Sequence, residues 1–212
     1  DRRVRFQLQR ATFFLSLFFF VVRTEVDILY TREILFVAPL ITRARKFVEL
    51  HHLYGLRFFG SFLLFRMDGI ITITEALKED VVCLFDYGKP ILVAPSGVDV
   101  EAFKKPITVD DARAPLGIVS DLPVIMYIGA LEEWKGYRTF LDALRLLIGQ
   151  AQGVVIGGAP TQLDSLQKEY PEVLFLGTLP QRDLAHNQRA ADVLVVPNSA
   201  REIISARHTS PL

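Results

Sequence analysis

An α/β fold is predicted by three features of this 212-residue sequence. Eight short apolar runs, mostly β-branched, recur with helix-length segments between them. The runs are continuous instead of alternating, the pattern of strands covered on both faces by helices in a parallel sheet. Half of the residues are hydrophobic and 24 basic side chains balance 24 acidic ones, so the chain can bury a core and is not disordered. The same balance argues against a nucleic-acid partner, which needs clustered, uncompensated Lys and Arg. Cys83 is the single cysteine, which excludes an internal disulfide and a Cys-based zinc site and fits a reducing compartment. The four histidines, His51, His52, His186 and His208, show no metal-ligand spacing beyond an adjacent pair, so no structural metal is expected.

In chain order, Asp1-Arg-Arg-Val-Arg5 before the apolar run Ala11 to Val22 imitates a signal peptide. The run is short of the ~20 residues that cross a bilayer. Arg23-Thr-Glu25 follows it where a small-residue cleavage site would stand. A buried helix feeding the next strand is the expectation. Strands are expected at 26–30, 46–50, 70–74, 91–94, 124–128, 154–156, 173–176 and 193–196. Thr74 is the expected N-cap of the helix after the third strand, with Glu75 in its first turn and Gly88-Lys-Pro90 as its stop. Tyr137, Phe140, Leu141, Leu144, Leu147 and Ile148 form one apolar helical stripe. Thr161 with Asp164 reads as the cap of a helix that Pro171 terminates.

Repeating strand–helix units leave two architectures, a (β/α)8 barrel or two doubly wound parallel sheets, and periodicity alone does not separate them. Between Pro95 and Leu122 stand Pro95, Gly97, Pro106, Pro115 and Gly117, with only a short helical pattern near 109–113. A barrel wants a compact helix there and a two-domain protein wants a linker. The expected boundary therefore lies near 106–120, drawn as domains 1–110 and 111–212. The close of the sequence at Leu212, just after a strand and its loop, reads as an internal piece of a longer protein with both sheets incomplete.

Three loops follow strands at their carboxyl ends, the edge at which open α/β sheets bind ligands. In Tyr127-Ile-Gly-Ala-Leu-Glu-Glu-Trp-Lys-Gly136 a strand runs through Gly129 to a helix opening at Gly136, with Lys135 at its mouth. Free N–H groups at a helix N-terminus and a neighbouring ammonium suit a diphosphate. The plainer alternative is a βα loop with an incidental lysine. Ile156-Gly-Gly158 and Phe175-Leu-Gly-Thr-Leu-Pro180 are strand ends with glycine turns, where the backbone can approach a ligand or simply turn.

The order of these motifs resembles the retaining nucleotide-sugar glycosyltransferases of family four, which have the GT-B fold of two Rossmann-like domains. The likeness rests on Ala94-Pro-Ser-Gly-Val-Asp99 with Phe103, on Tyr127-Ile-Gly129 with Trp134-Lys-Gly136, and on Ile156-Gly-Gly158 and Phe175-Leu-Gly177. Ala191-Asp-Val-Leu-Val-Val-Pro197 continues it, and upstream Val48-Glu-Leu-His51 and Asp68-Gly-Ile-Ile-Thr-Ile-Thr74 resemble the end of the family's first domain. The resemblance implies transfer of a sugar from a nucleotide diphosphate donor to a glycan or lipid-linked acceptor, with retention at the anomeric carbon. Residues 1–110 would belong to the acceptor side and 111–212 to the donor side. Gly129, Lys135, Gly136, Gly157, Gly158, Thr178 and Leu179 would bind the donor, His51 would stand near the transferred sugar, and no metal or further cofactor is implied.

Several positions depart from the family pattern. Ala130 stands where an arginine often touches the diphosphate, and the glycine-rich loop after the first strand of the acceptor domain is absent. Of the paired glutamates eight positions apart, Glu202 is a candidate for the first, but the residue eight further on is Ser210. Thr209-Ser-Pro-Leu212 looks like the approach to the second carboxylate, so this chain alone is expected to be inactive. Apart from the resemblance, His51 reads as a partly exposed loop histidine and Arg32 as a solvated charge. The Phe-rich stretches 13–20 and 58–65 raise peripheral membrane contact. In the second, Leu56, Phe59 and Leu63 with Arg57 and Arg66 could form a basic amphipathic face, whereas such a helix more often packs against its own sheet. The expected location is the cytoplasm, with the inner face of the membrane as its variant. A nucleotide-sugar epimerase and a non-catalytic sugar-nucleotide binding module are the rival functions.

Overall fold

The computed structural model describes residues 2–32, 43–53 and 59–209. The chain divides into two compact units, Asp1–Gly97 with Arg207–Leu212, and Val98–Ala206. Each holds one four-stranded parallel sheet, so the eight strands do not close into a barrel.

The first unit runs α1 (Arg2–Arg23), β1 (Ile28–Thr31), β2 (Arg45–Leu50), α2 (Phe59–Phe65), β3 (Gly69–Thr72), α3 (Glu75–Phe85) and β4 (Ile91–Val93), with strand order β1-β2-β3-β4. Its core gathers Val48, Leu50, Leu64, Met67, Ile70, Ile73, Leu77, Val81 and Tyr87. Thr74 caps α3 as the sequence predicts, its hydroxyl accepting from the Leu77 N–H at 3.0 Å. The helix stops before Gly88, because Asp86 turns left-handed (φ 48°) and its N–H closes on the Val82 carbonyl.

One expectation for this unit is corrected, and one of two alternatives is decided. Helix α1 is not buried: among its described side chains only Val21 is, with Phe14, Leu17 and Leu29 packed against it, while Phe6, Phe13 and Phe20 are exposed. Its apolar residues run around the whole helix, and a single contact line covers only one side. In α2, Leu63 and Leu64 are buried, so Leu63 belongs to the core and not to an outer amphipathic face. Phe62 and Phe65 are exposed, and the Arg66 guanidinium lies 5.3 Å from the Phe62 ring centroid. Leu56 and Arg57 of the proposed face lie outside the described residues.

The second unit begins with α4 (Val100–Lys104) and α5 (Val109–Arg113) and continues through β5 (Val124–Ile128), α6 (Tyr137–Arg145), β6 (Gln152–Ile156), α7 (Pro160–Glu169), β7 (Leu174–Gly177), α8 (Leu184–Arg189) and β8 (Val193–Leu194). Helix α9 (Ile203–Arg207) closes it, with only its last residue, Arg207, counted in the first unit. Strand order is β7-β6-β5-β8. The two faces of the sheet carry separate cores. Tyr127 and Val155 pack with Tyr137, Phe140, Leu141 and Leu166, whereas Val124, Met126, Val154 and Ile156 pack with Ala112, Leu116 and Ala190. That alternation along β5 and β6 is the period of two expected of a strand. The edges are less covered than continuous apolar runs predict, since Val193 and Leu194 of β8 are exposed.

The units divide at Gly97/Val98, ahead of the expected 110/111 boundary. The reason is that the linker is structured and belongs to the second sheet. Ala112 of α5 is fully buried in that sheet's core. Arg113 donates to the Ala190 carbonyl at 3.0 Å and to Asp192 at 2.6 Å, and Asp192 accepts the Val124 N–H at 2.7 Å. That backbone N–H, with the Arg113 charge, holds the Asp192 carboxyl below its ordinary range. In α7 the cap is also revised. Pro160 opens the helix, so Ala159 is the N-cap and Thr161 already lies inside; Gln162 reaches back to accept the Ala159 N–H at 3.1 Å. The apolar stripe of α6 ends at Leu144, and Ile148 falls in the following turns, exposed.

Candidate functional site

In β7-β6-β5-β8 the chain leaves β5 for β6 and β7 on one side and returns to β8 on the other. The order reverses at β5, and the crevice at the carboxyl ends beside such a switch point is where open α/β sheets take ligands. Gly129 follows β5, Gly157 and Gly158 follow β6, and Gly177 ends β7. The Gly129 N–H donates to the Ile156 carbonyl at 2.9 Å, the Gly157 N–H to the Gly177 carbonyl at 2.7 Å, and the Thr178 hydroxyl to the Gly158 carbonyl at 3.1 Å. The three predicted loops are thus laced into one edge.

Two glycines there are sterically required. Gly157 has φ 130°, and a Cβ on it would lie 1.9 Å from the Gly129 carbonyl oxygen. Gly136 has φ 70°, and its Cβ would lie 2.0 Å from the Pro197 carbonyl oxygen. Gly136 is the N-cap of α6 and no side chain caps that helix, so its first N–H groups present the positive end of the helix dipole. Lys135 closes the 3-10 turn Glu133–Lys135 just before it. Its ammonium lies 5.1 Å from the Trp134 ring centroid, and among the described residues it has no carboxylate partner. Ala130 contributes a carbonyl that accepts the Tyr127 hydroxyl at 2.7 Å. Burial, with Glu132 nearby, pushes that phenol up to about 12. Leu179 packs its side chain against the core, so only its backbone is free to meet a ligand.

Sequence reasoning missed one part of this edge. The loop after β8 comes against the mouth of α6, with the Ser199 N–H donating to the Trp134 carbonyl at 3.1 Å and Pro197 against Gly136. The motif ending at Pro197 marks the loop, but nothing in its spacing gives the partner. Glu202 is exposed at the start of α9, and Ser210 lies outside the described residues.

The first unit carries a different cluster at the carboxyl ends of its strands. His51 follows β2, with Nε2 2.5 Å from Glu49 Oε1 and Nδ1 3.2 Å from an Arg32 guanidinium nitrogen. The Tyr30 hydroxyl donates to the other Glu49 oxygen, and Arg32 Nε stands 3.8 Å from Oε1. Parallel pairing of Tyr30 with Phe47 and Thr31 with Val48 brings Arg32 level with Glu49. The period of two puts Tyr30 with Arg32 and Glu49 with His51 on one face. Arg32 is therefore no isolated solvated charge, although its side chain is 63% exposed.

Farther along the same unit, Arg207 donates to Asp80 at 2.8 and 3.0 Å, and buried His208 meets Asp80 at 2.9 Å. The Arg207 hydrogen bonds, then His208, hold the Asp80 carboxyl below its ordinary range against the opposing effect of burial. Among the described residues no group of three or more His, Cys, Asp or Glu is placed to hold a metal ion, and no helix is long and apolar enough to cross a membrane.

Residues 122–206, the stretch that builds this second sheet, match the family model of glycosyl transferases group 1. A D-inositol 3-phosphate glycosyltransferase of Xylanimonas cellulosilytica is 33% identical over 147 residues, 62% of this chain and 35% of that protein. One of the same description from Mycolicibacterium smegmatis is 30% identical over 143 residues, covering 62% and 32%. The matches thus span about a third of these relatives' length. Among solved structures, sucrose-phosphate synthase from Thermosynechococcus elongatus superposes with a TM-score of 0.69 at 20% identity, over 91% of this chain and 57% of that one. Anabaena HepE in complex with UDP does so with a TM-score of 0.67 at 19% identity, over 90% and 56%. The fold is the GT-B type of α/β architecture, with two Rossmann-like parallel sheets.

Proposed function

We propose that this chain carries the core of a retaining family-four glycosyltransferase, which moves a hexose from a nucleotide diphosphate sugar to a glycan or lipid-linked acceptor. One observation carries the reading: within the group 1 stretch, the carboxyl edge of β5, β6 and β7 joins two obligatory glycines to the uncapped N-terminus of α6 and to Lys135. Backbone N–H groups and an ammonium are what a departing diphosphate needs, because they meet its growing negative charge with no reorganisation. Gly129, Lys135, Gly136, Gly157 and Gly158 would hold the diphosphate. Thr178 and Leu179 would offer backbone groups to the base, and the reaction would use no metal. In the first unit, His51 would stand beside the transferred sugar on the acceptor side. The cytoplasm, at the inner membrane face when the acceptor is lipid-linked, is the proposed location.

The chain's own ligand binding tests this. Calorimetric titration of the 212-residue protein with nucleoside diphosphates should give saturable binding, lost in Gly157→Val. A version extended to the length of the relatives should transfer the sugar with its anomeric configuration kept, read by proton NMR of the first product. Donor binding without turnover in the extended protein would mark a binding module, and an inverted product would end the retaining assignment.

A further inference from the structure

The polar cluster of the first unit gives His51 a different neighbour at each ring nitrogen. A guanidinium has only N–H groups to offer, so the ring nitrogen it meets must be an acceptor. That nitrogen is Nδ1, 3.2 Å from Arg32. Glu49 as a carboxylate has only lone pairs, so the nitrogen it meets must carry hydrogen, and that is Nε2 at 2.5 Å. One protonation state satisfies both neighbours, the neutral imidazole with its hydrogen on Nε2. A proton on Nδ1 would oppose N–H to N–H across the Arg32 contact. Glu49 is itself held, because Tyr30 donates to its second oxygen and Arg32 Nε lies 3.8 Å from its first.

We infer that Arg32 and Glu49 are positioning residues that lock His51 as the neutral, Nε2-protonated imidazole, so that His51 serves the reaction by orientation and contact and not as a proton carrier. This rests on the role proposed for His51 in transfer. Both ring nitrogens are engaged, and a ring that must surrender a partner before it takes or gives a proton is poorly suited to that task. Charge-assisted contacts on its two nitrogens instead fix the imidazole plane, since the ring cannot rotate without breaking both.

Long-range proton–nitrogen NMR on the histidine-labelled 212-residue chain tests the lock without any assay of turnover. Wild type should show Nδ1 with the shift of an unprotonated ring nitrogen and Nε2 with that of a protonated one. Removing both partners, in Arg32→Met with Glu49→Leu, should give averaged tautomer signals, and Arg32→Lys alone, which again offers only donors, should keep the single form. Glu49→Gln should keep it, because the amide oxygen still accepts from Nε2. An Nδ1-protonated or averaged ring in wild type would overturn the lock. In an extended, active protein, Arg32→Met should lower kcat by about tenfold with the donor KM unchanged, the loss expected for one charge-assisted hydrogen bond. An unchanged kcat there would overturn the positioning role. A locked ring whose replacement in His51→Ala leaves transfer intact would support the lock and refute the proposed place of His51 in the reaction.

Discussion

The two sheet edges are built from different materials. In the second unit the edge is backbone: glycine N–H groups, carbonyls and a helix end, with Lys135 beside it. In the first unit it is side chain: a carboxylate, an imidazole, a guanidinium and a phenol that satisfy one another. A backbone edge tolerates many side chains nearby but no Cβ where two main chains touch. A side-chain edge tolerates ordinary backbone but not the loss of a charge. Under the proposed function, the first would meet a ligand through its phosphate charge and the second one through its hydroxyls.

The sharpest break in this contrast should come from the glycines. Gly157→Ala places a Cβ 1.9 Å from a carbonyl oxygen at φ 130°, and the second unit should lose about 3 kcal/mol, read as a lower urea midpoint. Gly97→Ala, where nothing lies within 4 Å, should change stability by no more than about 0.5 kcal/mol. Equal effects would mean that the close approach is not real.

Next in size is Lys135→Ala. Its ammonium interacts with phosphate and has little to give a nucleoside, so affinity for a nucleoside diphosphate should fall by about tenfold or more while nucleoside affinity holds. Calorimetry on both ligands decides it, and parallel losses would signal damage to the fold.

Acid should act on the first unit through Asp80. Its carboxyl is depressed in the folded chain, chiefly by Arg207, so its contribution is present above the unfolded carboxylate value and fades as pH falls through the folded one. Protection of the amides at 207–209, relative to their intrinsic rates, should therefore fall only below about pH 4, and Asp80→Asn should show the lower protection already at neutral pH. Slow exchange in that variant would sink the assignment.

The smallest effect expected is that of Tyr127→Phe. It removes the hydroxyl bond to the Ala130 carbonyl at 2.7 Å and should cost about 1 kcal/mol. With its phenol raised to about 12, wild type should show no tyrosinate absorbance from this residue at pH 10.

What the sequence determined by itself was local and periodic. Apolar runs placed all eight strands within a few residues, Thr74 announced its own cap, and glycines at strand ends marked the loops of the second sheet, because each of these is a property of a few neighbouring residues. It did not determine which strands share a sheet edge. Tyr30 and Arg32 meet Glu49 and His51 only through the parallel register of β1 on β2, and the loop after β8 reaches Gly136 only because β8 lies beside β5. The linker illustrates the same limit. Its prolines and glycines spoke for a boundary, but Ala112 and Arg113 join the second sheet through contacts with Ala190 and Asp192, far along the chain. Helix α1 was misread for a related reason, since an apolar run says that a segment can be buried and not that a partner exists to bury it. Strand pairing and burial are contacts between distant residues, and those the tertiary structure alone decided.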